Sequence, residues 1–99
     1  MNVNNAYIAL TDPDWYRYLA GQPRLDEVNF WQPHGDHTFR ALAPGETFFF
    51  KLRGPAKAIV GFGFFQRFES MPARYAWDCF GTANGAPDFE SMLARISRL

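Results

Sequence analysis

Disulfide chemistry is excluded within this chain, because Cys79 is its only cysteine. A lone thiol points to a reducing compartment. No apolar run approaches the roughly 18 residues that a membrane helix needs, and the mean hydropathy is −0.28. The opening Met1-Asn2-Val3-Asn4-Asn5 has neither the basic start nor the apolar stretch of a secretory signal. A cytoplasmic protein without a membrane partner is expected. Histidine is scarce as well. His34 and His37 are the only two, and with Asp36 they fall in a stretch of turn composition, so a solvated turn accounts for them better than a metal site lacking its further ligands. Gly61-x-Gly63 lacks a third glycine and precedes no helix, so it is not a dinucleotide fingerprint. Nothing marks Cys79 as a thiolate nucleophile. The chain is therefore expected to have no catalytic residue, no metal and no cofactor.

Net charge is also missing, since ten basic residues balance ten acids. The whole-chain signature of a nucleic-acid binder is thus absent. The distribution is less even. Residues 1–50 hold three arginines against six acids, a net −3, whereas residues 51–99 hold seven basic residues against four acids, a net +3. What is plentiful is aromatic surface, with eleven Phe, four Tyr and three Trp making 18% of 99 residues. A single small domain spanning 1–99 buries roughly two thirds of its unfolded surface. Some of these rings are therefore expected to serve a surface or a pocket.

Along the chain, Tyr7-Ile8-Ala9-Leu10 predicts a strand. Thr11 or Asp12 can cap a helix that begins at Pro13, runs through Trp15 to Ala20 and stops at Gly21. Val28 to Gln32 predicts a second strand, with Asn29 and Trp31 on one face, and 38–42 its hairpin partner. Pro44-Gly45 predicts a type II turn. Thr47–Leu52 and Ala58–Phe68 carry the strongest β signals, separated by Gly54-Pro55. Gly61 and Gly63 share one strand face, which suits close approach, coiling or a bulge. Pro72 opens a helix that Gly81 ends. Asp88 caps another, whose apolar positions are Phe89, Met92, Leu93, Ile96 and Leu99. The expected class is α+β: about five mostly antiparallel strands in a small barrel-like sheet with three short helices.

Three segments together carry a family likeness: Thr11-Asp12-Pro13-Asp14-Trp15, Asp26-Glu27-Val28-Asn29-Phe30-Trp31-Gln32-Pro33, and the run from Pro44-Gly45-Glu46 through Phe50-Lys51-Leu52 to Ile59-Val60-Gly61-Phe62-Gly63-Phe64-Phe65. With Ala76-Trp77-Asp78-Cys79-Phe80-Gly81 and Asn84-Gly85-Ala86, they resemble the N-terminal PUA-like domain, related to the EVE and SRA groups, of predicted bacterial HNH restriction endonucleases. The resemblance implies a PUA-like fold and a DNA reader that recognises a modified, methylcytosine-type flipped base for a covalently joined or separate nuclease domain. It also implies that closing strands and a nuclease follow in longer members, so that this chain would be an N-terminal part or a shortened form. No His-Asn-His motif is present, and the likeness extends to the reader alone.

A reader of this kind needs flat rings and polar groups for the base edge. Trp15, Trp31, Asn29, Asp12 and Phe49 are the candidate base-binding residues, and Lys51 the candidate phosphate contact. Each also has a plain structural reading: Trp15 as a core anchor, Asp12 as a helix cap, Asn29 as a backbone partner, Lys51 as a strand residue reaching solvent. Trp77, Phe80 and the Phe62, Phe64 and Phe65 set read as core. Two other functions stay open, an RNA-binding or small-ligand-binding PUA-like module and a protein-interaction domain with exposed aromatics.

Overall fold

A computed structural model describes residues 5–23, 25–31, 41–55 and 57–98. Its element order is β1 (Ala6–Thr11), α1 (Pro13–Ala20), β2 (Thr47–Leu52), β3 (Ile59–Phe64), α2 (Ala73–Phe80), a 3-10 turn (Gly81–Asn84) and α3 (Phe89–Ser97). The chain is α+β, with a three-stranded mixed sheet and three α-helices among the described residues. It falls into two compact units. One, drawn from 1–12 and 36–69, holds the sheet; the other, drawn from 13–35 and 70–99, holds the helices.

The sheet runs in the order β1-β2-β3. β1 and β2 are parallel, with Ile8 opposite Phe49 and Leu10 opposite Lys51. β2 and β3 are antiparallel, with Phe49 opposite Phe62 and Lys51 opposite Ile59. This corrects the expectation of a mostly antiparallel, five-stranded barrel. Residues 28–31 form no strand. The backbone N–H of Asn29 donates instead to the Ala83 carbonyl at 2.9 Å, a partner 54 positions away that alternation alone cannot reveal. Without a hairpin at that point, the chain returns to β2 after a crossover that includes α1, and a crossover of that length is what a parallel pairing requires. Residues 32–40, with the histidine turn and most of the returning strand expected there, lie outside the described residues.

Side chains alternate across the sheet. Tyr7, Ala9 and Thr11 take one face with Phe48 and Phe50. Ala9 and Thr11 are buried, and the Phe48 ring lies 5.5 Å from Tyr7 and 5.4 Å from Phe50. Gly61 stands opposite Phe50 on this face, and a β-carbon placed on it would lie 3.8 Å from the Phe50 ring. The register shifts between Phe50 and Lys51, which skips Val60 and makes a bulge beside Gly61, one of the roles the paired glycines suggested. The type II turn forms as read, with Gly45 at φ 88 and Glu46 N donating to Ala43 O at 3.1 Å.

Glu46 fastens the approach to the sheet. Its Oε1 accepts from Ala43 N and its Oε2 from Asn5 N, each at 2.7 Å. These two amides hold its carboxyl below the usual glutamate range. A depressed carboxyl contributes stability at neutral pH that is lost as pH falls through its folded-state pKa. Asp14, held down chiefly by its hydrogen bond to Arg98, and Asp88, held down by Ser91, act in the same direction. Denaturation midpoints are therefore expected to fall below about pH 4, and to fall less steeply in Glu46→Gln. An identical acid limb in that variant would show that the Glu46 clip contributes nothing.

The helical unit has its own core. Ala76, Ala86 and Met92 are buried, and Trp31, Met71, Ala73, Trp77, Phe89 and Ile96 pack around them. Gly81, at φ 52, ends α2 as its sequence predicts, and Asp88 caps α3 by accepting from Ser91 N at 2.7 Å.

Candidate functional site

The six residues singled out in the sequence divide between the two units. Asp12, Phe49 and Lys51 belong to the sheet unit, and Trp15, Asn29 and Trp31 to the helical unit.

In the helical unit Trp15 and Asn29 meet, with Trp15 buried and Asn29 and Trp31 half-buried. Trp15 is 4% exposed. Its Nε1 donates to Asn29 O at 3.1 Å, and its ring meets Phe30 edge-on at 5.3 Å. Gly85 lies directly against the indole. The Asn29 side chain donates to Asn84 Oδ1 at 2.8 Å, and Asn84, fully buried, donates in turn to the Ala76 and Gly81 carbonyls that close α2. This chain of amides satisfies polar groups that would be costly to leave unpaired in a dry core. Trp15 thus has the core-anchor geometry and presents no open ring face, while Asn29 acts as a backbone and amide partner. Trp31 is half-buried against Ala76, Ala86 and Met92, and its Nε1 is buried with no acceptor among the described residues.

The sheet unit offers the open surface. Alternation puts Thr47, Phe49 and Lys51 of β2 on the face opposite Phe48 and Phe50, together with Ile8 and Leu10 of β1 and Ile59, Phe62 and Phe64 of β3. Phe62 and Phe64 are each 62% exposed, and Ile8, Leu10 and Ile59 are all more than half exposed. Phe49 lies 6.2 Å from Phe62, and Phe62 lies 6.0 Å from Phe64, ring centre to ring centre. These rings are clustered, unlike the scatter of single exposed apolar residues that every protein shows. Asp12 is half-buried just beyond the end of β1.

Phe62 and Phe64 read as core in the sequence, and the structure corrects this, because packing covers the other face of β3. Gly61 and Gly63 take the face packed by Phe48 and Phe50, and strict alternation then turns Phe62 and Phe64 to the other side. Among the described residues, no group of three or more His, Cys, Asp or Glu side chains is arranged to hold a metal ion, and no helix is long and apolar enough to cross a membrane. Protein-family models, curated proteins and solved structures yield no match to this chain. Fold and surface together define a small α+β protein with an exposed aromatic face on its sheet.

Proposed function

We propose that the chain is a nucleic-acid-binding module of PUA-like kind that receives an unstacked base on the open face of its sheet. In the setting that its sequence resembles, it would direct an HNH nuclease to DNA carrying a modified, methylcytosine-type base. One observation carries the base-binding part: Phe49, Phe62 and Phe64 stand side by side on an open face that also carries Lys51. Every base has a flat π-face, and each base–aromatic contact contributes roughly 1–3 kcal/mol, comparable to the few kcal/mol that unstacking a base costs. Lys51, half-buried opposite Ile59 and two residues from Phe49 on β2, supplies a cation within the same surface for a phosphate. The restriction setting is supported by the resemblance of the Asn29-Phe30-Trp31-Gln32-Pro33 segment and its companions.

Oligonucleotide binding tests the proposal. Phe62→Ala and Phe64→Ala are each expected to weaken binding by about tenfold or more while leaving the melting temperature unchanged, because neither ring is buried. A methylcytosine or hydroxymethylcytosine oligonucleotide is expected to bind above its unmodified counterpart. Preference for RNA would move the chain to the RNA-binding alternative. Indifference of every oligonucleotide to both Phe variants would overturn the base-binding reading and leave the face, with its Ile8, Leu10 and Ile59, to a protein partner.

A further inference from the structure

Resting on that reading, we infer that the sheet face takes an extended single strand of nucleic acid, whose phosphates are held by the cations at the β2–β3 end of the sheet. The argument begins with ring spacing. Ring centres lie 6.2 Å apart from Phe49 across to its β3 partner Phe62, and 6.0 Å apart from Phe62 along β3 to Phe64. Stacked nucleotides follow one another at roughly 3.4 Å along each strand. A stacked strand cannot lay successive bases on successive rings. An unstacked, extended one can, and a duplex with one base turned out would engage only one position. Three adjoining rings therefore select a flexible single-stranded stretch.

Charge lies next to this surface. From Lys51 to Phe68 the sequence holds four basic residues, Lys51, Arg53, Lys57 and Arg67, and no acid. Arg67 is paired with Glu69 at 2.9 Å. Lys51, Arg53 and Lys57 have no carboxylate partner among the described residues. The hydrogen bond from Leu52 N to Ala58 O ties the two strands together here, so that exposed Arg53 and Lys57 lie where β2 passes into β3, beside the Leu10, Lys51 and Ile59 end of the open face. Adjoining rings with cations beside them match the two parts of a single strand, its base faces and its phosphates. A protein partner with an apolar face would use the rings and leave these cations idle.

Titration of the full chain with short oligothymidylate and oligouridylate, against duplexes of matched length with and without a methylcytosine, separates the possibilities. Single strands are expected to bind about tenfold or more above duplex, since two further bases each gain a ring contact. For single strands, log K falls with log salt by about 0.7 for each phosphate neutralised. The double variant Arg53→Gln, Lys57→Gln is thus expected to flatten that slope by about 1.4, whereas Phe62→Ala and Phe64→Ala lower affinity with the slope unchanged. The DNA and RNA oligomers distinguish the two sources of such a strand. Duplex binding equal to single-strand binding, or a slope untouched by the charge variants, overturns this inference and leaves base binding standing. Absence of binding to every oligonucleotide overturns both.

Discussion

Replacing Trp15 by alanine is expected to cost about 3–5 kcal/mol of stability, one of the largest effects of any single substitution in this chain. The indole is 4% exposed, it donates to Asn29 O, and its ring meets Phe30 edge-on. Truncation removes that area from a packed interior and leaves the Asn29 carbonyl without its indole donor. Urea denaturation followed by far-ultraviolet circular dichroism reads the change without relying on the tryptophan that has been removed. The comparison with Phe62→Ala is the informative one: Trp15→Ala should lower the denaturation midpoint, and Phe62→Ala should lower affinity at an unchanged midpoint. A Trp15→Ala protein that keeps its midpoint but no longer binds oligonucleotide would return the indole to the stacking role that its sequence context first suggested.

Gly85→Ala tests the same contact from the other side. Gly85 has φ 84, a left-handed conformation that costs an ordinary residue about 1–2 kcal/mol. A β-carbon there would lie 2.1 Å from Cδ1 of Trp15 and 2.6 Å from its Nε1, well inside contact distance. Phe30 and the Asn29 carbonyl hold the indole from its other side and oppose its retreat. Overpacking adds about 1–3 kcal/mol, so a loss of about 3 kcal/mol or more is expected. The same denaturation measurement checks it. An unchanged midpoint would mean that the tryptophan does not rest on this glycine. Because Gly85 N also donates to Thr82 O and Arg95 donates to the Gly85 carbonyl, the position couples the 3-10 turn to α3, and misfolding of that region is the extreme form of the same result.

These two substitutions separate scaffold from surface. Trp15 and Gly85 hold the helical unit together, whereas Phe49, Phe62 and Phe64 present rings to solvent from the sheet. A loss of binding after substitution in the first group follows from lost structure. In the second group it reports on the ligand itself.

Local signals determined much of this protein. The helix from Pro13, the stop at Gly21, the turn at Pro44-Gly45, the breaker at Gly81 and the cap at Asp88 each depend on backbone chemistry within a few residues, so they are legible in one dimension. β2 and the Ile59–Phe64 part of the second β-rich run follow from composition for the same reason, whereas 65–68 form no strand. Tertiary structure alone decided the rest. Residues 28–31 have strand composition, but a strand needs a partner, and Asn29 finds Ala83 and Asn84 instead. The parallel pairing of β1 with β2 follows from how the chain crosses between them, which no local pattern encodes. Burial was divided in the same way. Trp15 and Phe62 are both large aromatic residues in apolar surroundings, and only the packing of distant segments makes one a core anchor and leaves the other open, because hydrophobicity drives burial without specifying which face is covered.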